Sequence, residues 1–167
     1  RHADLFDRGK VILWEEAPVM GQWVPGGAWN EAAVDAMVRH GPELFDRQRA
    51  AVREVADYPV GIFVHFPYLV DSKRPAVFRA VVDRLRDRGV VPDFAFTDFY
   101  RGWYEKDVGP GPADAAVRSL VSNAGRALGG RPVYYLGQAH TVNPQHTPSR
   151  QSLRSNLRAA LDAGADG

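Results

Sequence analysis

Four short apolar runs, each followed by a stretch of helical period, constrain this chain more than any other feature. The runs lie in Lys10–Glu16, Val60–Phe66, Pro92–Asp98 and Pro132–Gln138. Their centres, such as Lys10-Val-Ile-Leu-Trp14 and Val133-Tyr-Tyr-Leu136, are nearly continuous apolar segments. Strands buried on both faces of a parallel sheet read this way. Pro59, Pro92 and Pro132 stand at or just before strand starts, where a missing N–H is least costly.

Between the runs the apolar residues recur with helical spacing. Val77, Phe78, Val81, Val82 and Leu85 form one stripe, closed by Gly89. A second runs from Ala113 through Leu120 to Leu128, closed by Gly129 and Gly130, and a third holds Leu153, Leu157, Ala160 and Leu161, closed by Gly164. Thr147-Pro148 has the form of an N-cap followed by proline at the first helical position. The longer first connection is expected to hold two helices, a short one at Asn30–Arg39 and a second at Pro42–Ala56 carrying Leu44, Phe45, Val52 and Val55.

Strands alternating with helices imply α/β architecture with a parallel sheet and right-handed crossovers. Two closures fit: an open doubly wound sheet, or part of a (β/α)8 TIM barrel. The loops after strands are rich in aromatic and polar residues, whereas those after helices are short, as in a barrel with one functional face. No glycine-rich phosphate loop follows a strand, which counts against a nucleotide-binding sheet. The expectation is a single partial barrel domain over 1–167 that supplies about four βα units. The chain opens on Arg1 and ends at Ala163-Gly-Ala-Asp-Gly167, where a fifth strand is due, so it is expected to be part of a longer protein. Half a barrel has open edges and an uncovered interior, and alone it would need a partner or a second copy.

Composition narrows the partners. Lys and Arg number 21 against 20 Asp and Glu, with no basic run, which disfavours nucleic acid. The absence of cysteine removes disulfides and thiolate metal sites while leaving the compartment open. No apolar run approaches the roughly twenty residues of a membrane span. A small or neutral molecule is the expected partner.

The strand ends carry the candidate chemistry. Glu15 and Glu16 end the first run; a carboxylate buried among Trp14, Trp23 and Trp29 is a candidate general acid. Equally, either glutamate can pair with an arginine or cap a helix. Asp98 ends the third run inside Thr97-Asp-Phe-Tyr-Arg-Gly-Trp-Tyr104. A carboxylate beside Tyr100 and Trp103 suits a sugar subsite, accepting from hydroxyls while rings stack on the apolar sugar face. The plainer account is an Asp98–Arg101 pair with core aromatics. His65 and Tyr68 end the second run, and Gln138 and His140 the fourth. Glu16, His65, Asp98 and His140 are also ligand types for a divalent metal, which defines an alternative: a metal-dependent barrel hydrolase or isomerase.

The stretch Pro132-Val-Tyr-Tyr-Leu-Gly-Gln138-Ala-His140, then Thr147-Pro-Ser149, Leu153-Arg154 and Leu157 to Gly167, resembles the seventh strand and helix of clan-A-type barrel glycoside hydrolases. Trp14-Glu-Glu-Ala-Pro18 then resembles the family's fourth strand end, Val60–Tyr68 the fifth and Asp98-Phe-Tyr100 the sixth, so the likeness spans nearly the whole chain. It implies a sugar-processing barrel with no cofactor. Glu16 or Glu15 would be the acid/base and Asp98 the second carboxylate. Trp14, His65, Tyr68, Tyr100, Trp103, Gln138 and His140 would form the subsite. Retaining members place a nucleophilic Glu at the seventh strand end, where this chain has Gln138, and an amide cannot form the glycosyl-enzyme ester. Either another carboxylate serves, the reaction inverts, or the site binds sugar without cutting it.

Overall fold

A computed structural model of the protein describes residues 9–14, 31–64, 74–102, 105, 109–139, 141 and 147–167. Its elements run β1 (Val11–Leu13), α1 (Glu31–Val55), β2 (Val60–Val64), α2 (Arg74–Asp87), β3 (Ala95–Phe99), α3 (Pro110–Ala127), β4 (Val133–Gly137) and α4 (Arg150–Asp162). The four strands form one parallel sheet in sequence order, with Val11 opposite Val60, Ile62 opposite Ala95 and Ala95 opposite Val133.

That register sorts the side chains by face. Val11, Leu13, Val60, Ile62, Val64, Ala95, Phe99, Val133 and Tyr135 share one cluster with Phe45 of α1, Val82 and Leu85 of α2, Val117 and Leu120 of α3, and Ala159 and Ala160 of α4. All four described helices therefore contribute to a single layer on one side of the sheet. Residues of the other parity, Phe63, Phe94, Phe96 and Tyr134, pack among themselves: Phe63 on Phe96 at 5.8 Å between centroids, Phe94 edge-on to Tyr134 at 5.3 Å. Among the described residues no helix covers that face, and Ile12 and Leu136 are exposed on it.

The first connection departs from the expected pair of helices. α1 is one 25-residue helix with Pro42 inside it. A proline there removes one backbone hydrogen bond and crowds the preceding turn, at about 3 kcal/mol. Burial of Met37 before it and Phe45 after it on one continuous face offsets that cost. Gly41 has a separate reason: a Cβ there would lie 2.7 Å from Cη2 of Trp14, so glycine admits the indole against the helix. The last helix also starts later than Thr147-Pro148 suggests. Ser149 is its N-cap, its hydroxyl accepting from Ser152 N–H at 3.0 Å. The glycines expected to close α2, α3 and α4 all adopt positive φ, as left-handed termini require.

β3 begins at Ala95, not at Pro92, because Asp93 is spent on fastening the strand. Its N–H donates to Val60 O (2.9 Å), its carboxylate accepts from Val60 N–H (2.8 Å), and Ile62 N–H donates to Phe94 O. Asp166 repeats this on β4: its N–H donates to Val133 O, its carboxylate accepts from Val133 N–H at 2.9 Å, and Tyr135 N–H donates to Gly167 O. Both aspartates stand 33 residues after the valine they clasp. Ala165–Gly167 thus lies along the β4 edge as Asp93-Phe94 lies along β2. Asp93→Ala would strand the N–H of fully buried Val60, with an expected loss of about 2 kcal/mol. Urea unfolding checks this; Asp93→Asn, which keeps an acceptor, should lose much less.

Candidate functional site at the strand C-terminal ends

Asp98 is 6 % exposed and Gln138 3 %, at the C-terminal ends of the adjacent strands β3 and β4. Asp98 shares the parity of Phe96 and lies opposite Leu136, two residues before Gln138. By alternation it belongs to the face away from the helices. Gln138 Oε1 accepts from the N–H of Gly102 at 3.0 Å, which ties the loop after β3 to the end of β4. That bond also fixes the amide: the branch receiving a backbone N–H is the oxygen, so the other is the NH2 donor. Tyr100, between Asp98 and Gly102, is half-buried.

Behind this rim sits Arg101, 2 % exposed. Its Nε donates to Glu105 Oε2 at 2.6 Å, and its guanidinium also bonds the Asp114 carboxylate. Ser155 Oγ on α4 donates to the other Asp114 oxygen at 2.6 Å. Burial by itself would lower the Arg101 pKa, but the hydrogen bonds to Glu105 and Asp114 outweigh it and the net shift is upward. Burial would likewise raise the Asp114 pKa; the bonds from Ser155 and Arg101 outweigh it and hold the carboxyl below its ordinary value. A depressed carboxyl contributes stability above its unfolded pKa, and that contribution fades as pH falls through the folded value. Tyr135, on the helix side of β4, has its phenol pKa pushed far up, first by burial and further by the charge of Asp98. It therefore stays protonated throughout the physiological range.

One expected site residue, Trp14, is not brought to this rim. The indole of Trp14, expected as a subsite ring, is 7 % exposed and packed on the helix layer. Its Nε1 donates to Gln48 Oε1 at 3.1 Å, and its ring meets Phe45 edge-on at 5.7 Å. Trp14 also has φ of 74°, so the strand's alternation stops there. Glu15, Glu16, His65, Tyr68, Trp103 and His140 lie outside the described residues, as do Trp23 and Trp29. Of the four metal-ligand candidates only Asp98 is described, and among the described residues no three His, Asp or Glu come together.

The sequence offers Arg101 only as a partner of Asp98 and gives Asp114 and Ser155 no distinguishing pattern. Asp114 gives no signal, because an acidic residue near a helix start is ordinary. Asn156 lies beside the expected stripe of α4, but the helix buries Asn156, Ala159 and Ala160 while Leu157 and Leu161 are exposed; Asn156 faces Gly137.

The chain is a parallel α/β protein with four strands in sequential order, in which the polar ends of β3 and β4 lie side by side. No protein family, curated protein or solved structure matches the chain. No helix among the described residues is long and apolar enough to cross a membrane.

Proposed function

We propose that this chain supplies four consecutive units of a (β/α)8 barrel whose mouth binds carbohydrate, and that it acts as a glycoside hydrolase. One observation carries the reading: strands in sequential order with every described helix on one face, and Asp98 and Gln138 at the C-terminal ends on the other. Sequential winding with one-sided helices is how a barrel is built, whereas a doubly wound sheet reverses order and carries helices on both faces. The apolar face of Phe63, Phe96, Tyr134 and Leu136, over which no described helix packs, would be barrel interior. At its rim Asp98 accepts from sugar hydroxyls, Gln138 donates to them, and Tyr100 offers a ring. Glu16 or Glu15, following the turn that Trp14 makes, supplies the acid/base.

A second reading, binding without cleavage, is favoured by Gln138 itself. Its oxygen is engaged by Gly102 N–H, and an amide is no nucleophile.

Assays of the full chain on neutral oligosaccharides separate the two. Hydrolysis should fall at least about a hundredfold in Glu16→Gln or Glu15→Gln if one is the acid/base. Asp98→Asn should weaken binding by about tenfold, the worth of a hydrogen bond to a charged acceptor. Binding without reducing-end release, unchanged by either glutamate variant, would establish the second reading. Full affinity in Asp98→Asn would remove the rim from both.

A further inference from the structure

We infer that Arg101 is the positioning residue of the rim, coupling the packing of α3 and α4 to the orientation of the Gln138 amide. The inference rests on the rim being the binding site, but its first readout does not. A continuous bonded path runs through the described residues. Ser155 Oγ on α4 donates to Asp114 on α3 at 2.6 Å, Asp114 bonds the Arg101 guanidinium, and the next residue's N–H donates to Gln138 Oε1 at 3.0 Å. Glu105 Oε2 takes the Nε–H at 2.6 Å, so two carboxylates hold the planar fork on separate edges.

The Arg101 guanidinium is taken up by the Glu105 and Asp114 carboxylates and is not presented to a ligand. What it can do is mechanical. A guanidinium fixed at two edges fixes its own backbone, and hence the direction of the peptide N–H that follows. That N–H decides which way the Gln138 carboxamide presents its NH2 group. Asp98 lies three residues upstream on the same short segment, so both rim groups depend on one buried anchor. A device of this kind suits a site in which small displacements are costly, because supporting bonds hold the contacting groups in place.

The plain alternative is that the Arg101–Asp114–Ser155 bonds only join helices, in which case their loss lowers global stability and leaves the rim geometry alone. Amide hydrogen exchange of the full chain distinguishes the two. In Asp114→Asn, which keeps shape and removes charge, Gly102 N–H exchange should accelerate about tenfold relative to the β2 amides. The Gln138 side-chain NH2 resonances should shift at the same time. Ser155→Ala, a milder change that leaves the ion pair intact, should move both signals in the same direction by less. Acceleration spread evenly over Gly102 and β2, or no change at Gly102 in either variant, overturns the inference. Oligosaccharide affinity is then measured on the same variants. Selective exchange at Gly102 with unchanged affinity would uphold the anchor and refute the rim as the sugar site; selective exchange with several-fold weaker binding upholds both.

Discussion

Replacing Trp14 by alanine is expected to destabilise the protein by about 4 kcal/mol, within the range for deleting a buried aromatic side chain. The indole closes the end of β1 against α1, over Gly41 and edge-on to Phe45, and its N–H meets Gln48. Alanine leaves a cavity there and deprives Gln48 of its donor, while the positive φ at this position gains nothing, since alanine is no freer to adopt it. Trp14→Phe keeps a ring on Phe45 and loses only the N–H bond and some volume, so a loss of about 1–2 kcal/mol is expected. Denaturant unfolding followed by circular dichroism measures both. A loss below about 1 kcal/mol in the alanine variant would mean that the ring is not packed. It would return Trp14 to the role of a sugar-stacking surface.

Gly61→Ala is expected to lower stability by about 3 kcal/mol, the upper part of the range for overpacking a core. A Cβ at Gly61 would stand 2.2 to 2.5 Å from three carbons of the Phe94 ring. Phe94 is 2 % exposed and wedged edge-on against Tyr134, which limits its room to swing. Glycine in the middle of a strand thus marks a close approach on the face away from the helices. The double variant Gly61→Ala/Phe94→Leu should recover part of the loss, because the two positions share one space. Additive losses in that double variant would show that the ring and the new methyl do not meet.

The fold was largely legible because two periods alternate along the chain. The continuous apolar runs located every strand, and the glycines after Leu85, Leu128 and Ala163 located the helix ends, since both signals are local. What was not legible depends on contacts between distant residues. Two helices are expected on either side of Gly41; that one helix continues through Pro42 depends on burial of Met37 and Phe45, and that position 41 is glycine depends on the approach of Trp14. Asp93 and Asp166 look like surface charges next to turns; their task of clasping Val60 and Val133 appears only when the strands are paired. Asp98 and Gln138 were legible as strand-end positions, because a parallel sheet sends those ends to one side. Their individual duties were not. Trp14 packs inward because its backbone turns left-handed, and Arg101 is withdrawn from the rim by acidic partners four and thirteen residues onward.

The central claim, that the ends of β3 and β4 form a carbohydrate site, is tested most directly by nuclear magnetic resonance. The isotope-labelled full chain is titrated with neutral oligosaccharides while its amide resonances are followed. Saturable shifts concentrated at Asp98–Gly102, at Ala139 and at the Gln138 side-chain amide are predicted, and they should weaken in Asp98→Asn. No saturable shift with any oligosaccharide, or shifts confined to the opposite strand ends around Pro59, Asp93 and Pro132, would contradict it.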